Sequence, residues 1–271
     1  MASDPTKLKP ITSRRQVRLT DAAAARPEDF PHGDELVKAL EHEQKRLRKL
    51  QSVFYADARY ALLVVLQGRD TSGKDGTVKK VFRSINPMGC DVTSFKAPND
   101  TEVEHDFLWR IHQRVPKRRM IGIFNRSHYE DVIVPRVRKT VSRAIWSARY
   151  GQINDFEQML AANSVVILKF FLQVSRDEQK KRLMERLEDR KKNWKFRAGD
   201  LDDRAQWAEY TAAYRDAIAK CSTSWARWYV VPADNENARD LLISRQIADT
   251  LDDLDLRYPP LDPKLEGLKI K

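Results

Sequence analysis

Three of the nine glycines in the chain fall in one short run, Gly68-Arg69-Asp70-Thr71-Ser72-Gly73-Lys74-Asp75-Gly76, which fits the spacing GxxxxGK. Glycines at that spacing let successive backbone N–H groups turn inward around phosphate oxygens. Lys74 adds a point charge, and a helix starting there would aim its positive end at the anion. Asp75 stands where such loops carry the Ser or Thr that meets Mg2+. Asp70 sets a carboxylate inside the loop, where it would repel bare phosphate, and a metal ion between the two makes sense of that placement. The plainer alternative is an ordinary turn between strand and helix, and the apolar run before the loop with a helical pattern after it weighs against that.

A second cluster follows the apolar run Met120–Phe124: Asn125-Arg126-Ser127-His128-Tyr129-Glu130-Asp131. In open α/β sheets ligands bind outside the carboxyl ends of the strands. Loops of this type are usually joined there by an acidic Mg2+ ligand from a neighbouring strand; Asn125 holds that position, and the acids come later as Glu130 and Asp131. A polar helix start, its acids favouring the dipole, accounts for the same residues. The third cluster is a helix expected around 175–193, opened by the capping-box pair Ser175 and Glu178. Arg182, Arg186 and Arg190 recur every four residues along it, and Lys191, Lys192 and Lys195 extend the charge. Such a run is commonly a solvated face, yet an arginine-bearing lid is what phosphoryl transfer needs, because charge spreads over the group in flight. Phe95, Lys96 and Pro98 follow another candidate strand and read either as a nucleotide contact or as an ordinary loop. The five histidines show no HExxH spacing, and GxSxG is absent.

The elements that must position these groups alternate. Compact apolar runs at Tyr60–Leu66, Met120–Phe124, Val165–Leu172 and Trp228–Val231, with a weaker one at Asp91–Phe95, read as strands buried on both faces. Helical patterns fall at 33–57, 74–84, 101–113, 152–163, 175–193, 203–220 and 237–255. Strand alternating with helix predicts an α/β fold with a parallel sheet. An irregular arm over 1–33, one domain over 34–256 with a lid at about 175–204, and an extended tail over 257–271 complete the expected layout.

With 41% hydrophobic and 33% charged residues among 271, intrinsic disorder is excluded. Cys90 and Cys221 form no CxxC pair, so neither a disulfide framework nor a structural zinc site is expected, and the usage suits a reducing compartment. No apolar run is long enough for a bilayer, and the first residues lack the apolar stretch of a signal peptide; a cytoplasmic protein without a membrane partner is expected. The net charge of +11 is concentrated: residues 110–149 hold eleven Lys/Arg against two acids, and 169–197 hold eleven against five. A polyanion is therefore a natural partner.

Taken together, GRDTSGKDG at 68–76, FKAPND at 95–100, FNRSHYED at 124–131, RLEDRKKNWKFRAGDLDDR at 186–204 with Trp207 and Tyr210, and YVVPADN at 229–235 resemble the polyphosphate kinase 2 family. The resemblance runs from about residue 35 to 255. It implies a thymidylate-kinase-like P-loop kinase, a three-layer α/β/α sandwich with a parallel sheet and a helical lid. It also implies Mg2+-dependent transfer between inorganic polyphosphate and adenine nucleotides in a homo-oligomer, a dimer or tetramer, with no nucleic acid partner. By position, Asp70 would bind metal and help deprotonate the accepting phosphate, with Asn125 as the second metal position. Gly68, Arg69, Thr71, Ser72, Gly73, Lys74, Asp75 and Gly76 would cradle phosphate, and Arg126, Arg182, Arg186 and Lys195 would grip the polyanion. Asp70, Lys74, Arg126, Glu130 and Asp131 would form the catalytic group, and Phe95, Lys96, Pro98 and Glu130 would meet the nucleotide. Glu130 in its SHYED context resembles the branch that accepts both AMP and ADP, whereas ENARDLL after Asn235 departs from the family's usual continuation. The rivals are an ATP-dependent kinase of the same fold and a basic nucleic-acid-binding protein with a vestigial loop.

Overall fold

Alternate residues of the central strand face opposite ways, and here both sides are apolar. In the computed structural model, which describes residues 4–197 and 199–268, β1 (Ala61–Gly68) is buried along its whole length. Ala61, Leu63 and Val65 enter one core and Leu62, Val64 and Leu66 enter the other, as the two-residue period of a strand requires. Around it lie β2 (Cys90–Ser94), β3 (Ile121–Asn125), β4 (Val165–Gln173) and β5 (Trp228–Pro232). All neighbours are parallel, in the order β2-β3-β1-β4-β5. The register sets Leu66 beside Asn125 and Gly68 beside Leu172, so the carboxyl ends of the three middle strands meet at one edge of the sheet.

The helices are α1 (Gly33–Asp57), α2 (Lys74–Val81), α3 (Asp100–Val103), α4 (Trp109–His112), α5 (Glu130–Arg138), α6 (Arg143–Ala162), α7 (Arg176–Glu188), α8 (Gly199–Ala205), α9 (Trp207–Lys220) and α10 (Glu236–Asp252). Helices α1, α2 and α10 cover one face of the sheet, and α5, α6 and α9 cover the other. The result is the expected three-layer α/β/α sandwich on a parallel sheet. Residues 4–32 are irregular apart from two single turns of 3-10 helix, Arg14–Gln16 and Ala22–Ala24. They are nonetheless packed: Ile11, Val17 and Leu19 join the core, and the Ile11 N–H donates to the Trp228 carbonyl at 2.8 Å, covering the outer side of β5. Among the described residues no helix is long and apolar enough to cross a membrane. The tail from 257 is mostly exposed with one 3-10 turn, and its last three residues lie outside the described ones.

Several elements differ from the sequence expectation for local reasons. The helix expected at 101–113 is broken into α3 and α4, because the Asp106 carboxylate accepts from Leu108 N–H and starts a new turn. The helix expected at 152–163 starts at Arg143, behind the N-cap Ser142. The helix expected at 203–220 is divided between α8 and α9. Asp189 ends α7, so Arg190 lies off the helix and the row of three arginines keeps only two helical members. Helix α5 opens at Glu130 and Asp131, where the alternative reading put a polar helix start, and carries Pro135 in its interior. A proline there leaves the carbonyl four residues back without its helical donor. That carbonyl belongs to Asp131, and Arg149 Nη1 donates to it at 2.5 Å.

Candidate active site

The phosphate loop leaves β1 where only glycine fits. A Cβ at Gly68 would stand 2.6 Å from Ser72 Oγ and 2.8 Å from the Leu172 carbonyl. Thr71 and Gly73 both take positive φ, 63° and 95°, to close the turn. Gly73 then serves as N-cap of α2 without any side-chain cap, leaving the first-turn N–H groups available to an anion. Lys74 folds back under the loop, its Nζ donating to the carbonyls of Gly68 at 2.7 Å and Arg69 at 3.0 Å. Burial pushes its ammonium down to about 8, and the nearby Arg126 charge adds to the shift.

Arg126 follows β3 in the left-handed region (φ 65°), held there by its N–H on the Leu66 carbonyl at 3.0 Å. Its Nη2 donates to Asp70 at 2.7 Å and its Nη1 to Glu130 at 3.2 Å. The Glu130 charge raises the Arg126 pKa further, burial opposes it, and Asp70 adds to the rise. These groups line one cavity together with Asp203, Tyr210 and Tyr214. Asn125 is turned to a different partner: its Nδ2 donates to Asp75 at 2.8 Å, and Lys195 from the lid reaches the same carboxylate at 3.1 Å. Burial works to raise the Asp75 pKa, but the hydrogen bonds from Asn125 and Lys195 hold it below the usual carboxylate range.

Arg69 lines the same cavity, whereas other expected site residues make contacts outside it. Arg69 points to α9, stacked 3.7 Å above the Trp207 ring and donating to the Trp207 carbonyl and the Thr211 hydroxyl; burial lowers its pKa to about 10. Arg182 is stitched to main chain, with Nη1 on the Thr71 carbonyl at 3.0 Å and Nη2 on those of Ala233 and Asp234, each at 2.9 Å. It joins helix α7 to the loop and to the turn after β5. Among the described residues Arg186 has a loose acidic partner, Asp200 at 3.8 Å. Asp131 accepts from the buried Arg110 at 3.1 Å, outside the Asp70–Arg126–Glu130 chain. Phe95 is buried edge-on against Phe124, so its ring offers no face to a base, while Lys96 and Pro98 are exposed. Sequence reasoning missed Arg110, which ties Asp131 to the Lys96 carbonyl at 2.8 Å, and Gln179, whose amide meets the Asp70 carbonyl at 3.3 Å. Neither stands in a motif; only the packing reveals them.

The model of the polyphosphate kinase 2 family matches residues 32–259. The chain belongs to the polyphosphate kinase 2 family. An AMP/ADP-polyphosphate phosphotransferase of Meiothermus ruber is 47% identical over 235 residues, covering 87% of this chain and 88% of that one. An ADP-polyphosphate phosphotransferase of Rhodopseudomonas palustris is 42% identical over 249 residues, covering 87% and 85%. The crystal structure of a polyphosphate kinase 2 from Arthrobacter aurescens TC1 superposes with a TM-score of 0.85 at 38% identity, covering 94% of this chain and 95% of that one.

In this polyphosphate kinase 2 chain the basic tract 110–149 is not one continuous track. Arg114, Lys117, Arg118 and Arg119 precede β3 and therefore lie toward the amino end of the sheet, away from the loop. Arg136 pairs with Asp216 at 2.8 Å and Arg138 with Asp203 at 2.5 Å. Of the cations in this tract, Arg126 is the one paired with the loop, through Asp70. Among the described residues, no group of three or more His, Cys, Asp or Glu side chains is gathered to hold a metal ion.

Proposed function

We propose that this chain transfers phosphoryl groups between inorganic polyphosphate and the adenine nucleotides AMP and ADP, as a cytoplasmic homo-oligomer. The observation that carries this is the Asp70–Arg126–Glu130 chain drawn across a phosphate loop whose lysine is buried beneath it. Loop N–H groups and Lys74 bind the phosphates at the transfer point. Arg126, held on two sides by carboxylates, is ready to meet the charge that builds on the group in flight, with no rearrangement of its backbone. Asp70 orients the accepting phosphate oxygen and takes its proton where one remains. The lid cations Arg186 and Lys195 draw along the rest of the donor chain.

Mg2+ fits the residues present. It commonly takes one or two protein carboxylates and completes its shell with water and phosphate oxygens, so a dedicated cage of acids is not needed. Asp70, Asp75 and Asn125 would hold it, and when bound it would offset the negative charge of the phosphates. The wider acceptor range rests on Glu130 and on the similarity to the Meiothermus ruber enzyme, named for both AMP and ADP.

The deciding experiment mixes purified protein, Mg2+ and polyphosphate with AMP or ADP and follows nucleotides by chromatography. ADP and ATP formed from AMP, with none formed when polyphosphate or Mg2+ is left out, is the expected result. Product from ADP alone, absent from the polyphosphate-free control, would narrow the acceptor and remove the role given to Glu130. No product with either acceptor would overturn the donor assignment in favour of ATP.

A further inference from the structure

The floor of the phosphate loop is a side chain to which the mechanism above gives no part. Arg239, in the first turn of α10, is fully buried, and its guanidinium lies against the loop backbone. A Cβ at Gly73 would fall on its Nη1 and only 2.8 Å from its Cζ; one at Gly76 would stand 3.4 Å from Nη2. Its Nε donates to Asp240 at 2.8 Å, but among the described residues Nη1 and Nη2 have no hydrogen-bond partner. Asp240 is equally buried and leaves Oδ2 unpartnered, its Oδ1 also accepting from the Thr77 hydroxyl at 3.3 Å. On the loop itself the buried hydroxyls of Thr71 and Ser72 lack partners as well.

Unmet hydrogen-bonding capacity on buried charged groups is expensive. If space-filling were the only task, a leucine or methionine would do it at lower cost, since apolar replacements of buried ion pairs are often neutral or stabilising. The arginine brings two things that an apolar residue could not. Its planar fork spans Gly73 and Gly76, leaving no room for a side chain at the first and fixing the curvature of the backbone that presents the N–H groups. Its charge also lies behind the anion site in a low-dielectric interior, where Coulomb interactions are strong.

We propose that Arg239 is a positioning residue of the phosphate site, holding the loop at Gly73 and Gly76 in its anion-binding shape and opposing the bound anion's charge from beneath. This rests on residues 68–76 being a phosphate-binding loop. The backbone amides are its intermediaries, so its effect belongs to condensed-phosphate affinity rather than to the acceptor.

The test measures tripolyphosphate binding to the full chain by calorimetry without nucleotide, alongside KM for polyphosphate and for AMP. Arg239→Met combined with Asp240→Asn removes the pair together and leaves no buried charge alone. The expected result is a tripolyphosphate Kd weakened about tenfold or more and a matching rise in polyphosphate KM. The KM for AMP should stay within about twofold, and the melting temperature within about 5 °C. If that variant fails to fold, Arg239→Lys decides, because it keeps the charge but loses the fork; about threefold weaker binding is expected. Affinity within error of wild type in the folded variant would overturn the proposal while leaving the loop assignment standing. Wild-type protein that does not bind tripolyphosphate at all would overturn both.

Discussion

The Arg126 guanidinium holds the Asp70 carboxylate at 2.7 Å across the mouth of the phosphate loop. The two residues come from the ends of adjacent strands, β1 and β3, and the left-handed backbone at Arg126 is what turns its side chain back toward β1. Because Arg126 also meets Glu130, loss of one carboxylate leaves it paired with the other.

Replacement of Asp70 by Asn should therefore separate activity from stability. Its side chain is partly exposed, and ion pairs of that kind contribute about 1 kcal/mol or less. Turnover should fall by about a hundredfold or more, the range seen when a general base or an electrostatic partner of the reacting group is removed. The melting temperature should move by only a few degrees. Steady-state kinetics beside a thermal melt check both; retained turnover would remove Asp70 from the mechanism.

Lys74 gives activity and stability opposite pH dependences. Its folded pKa is depressed to about 8 by burial, with Arg126 adding to the shift, whereas the unfolded chain returns it to the ordinary lysine value near 10.4. Below the folded value the amine is charged in both states, and the full cost of charging it in the interior is present. As pH rises from about 8 toward 10.4 the unfolded state binds more protons, so stability from this group increases. Phosphate binding needs the charge, so kcat/KM for polyphosphate should fall above about pH 8, approaching tenfold per unit. Lys74→Met should remove that alkaline limb together with most of the activity. A pH profile of kcat/KM and a denaturation series on wild type and variant test the two halves.

The lid arginines, alike in sequence, separate in the structure. Arg182 gives its hydrogen bonds to the carbonyls of Thr71, Ala233 and Asp234, so Arg182→Ala should lower stability by about 2–4 kcal/mol, as the loss of several hydrogen bonds to a charged group does. It should leave the salt dependence of polyphosphate binding as it was. Arg186→Ala and Lys195→Ala should do the reverse: little change in stability, and a slope of log affinity against log salt reduced by about 0.7 for each phosphate that the lid no longer neutralises. Binding isotherms at several salt concentrations decide. An unchanged slope in both of the latter variants would make that face of the lid merely solvated.

The limits of the sequence follow from the range of each interaction. The strands were legible because a both-faces-buried strand is a local apolar run, and the loop because glycine and lysine spacing is local too. Edge strand β2, half exposed, gave the weaker signal for the same reason. The run of α5 past its polar start was not legible across Pro135, whose cost is met by Arg149 from another helix. Arg69 and Arg182 stand in motifs read as anion contacts, but their partners, Trp207 and the Ala233 and Asp234 carbonyls, lie far along the chain, where no local pattern reveals them. Arg239 could not be read at all, since nothing in ENARDLL announces a guanidinium beneath Gly73.

The loop after β2 tests acceptor recognition. Arg110 is buried, donates to the Lys96 carbonyl and the Asp131 carboxylate, and lies 5.6 Å from the centre of the Phe95 ring, so it fixes the path from Phe95 to Pro98. Burial already raises the Asp131 pKa against the pull of Arg110. Arg110→Met would leave that carboxyl without its cation, and breaking such a pair costs about 3–5 kcal/mol. A stability loss of this size would accompany any rise in KM and obscure its meaning. Lys96→Ala avoids the difficulty, because the side chain is exposed and stability should not move by more than about 0.5 kcal/mol. If Lys96 meets the nucleotide phosphate, KM for AMP should rise about tenfold, equivalent to one charge-assisted hydrogen bond of about 1.4 kcal/mol, with KM for polyphosphate unchanged. Equal rises for both substrates would instead assign Lys96 to the polyphosphate path, and no rise for either would return the segment to an ordinary loop.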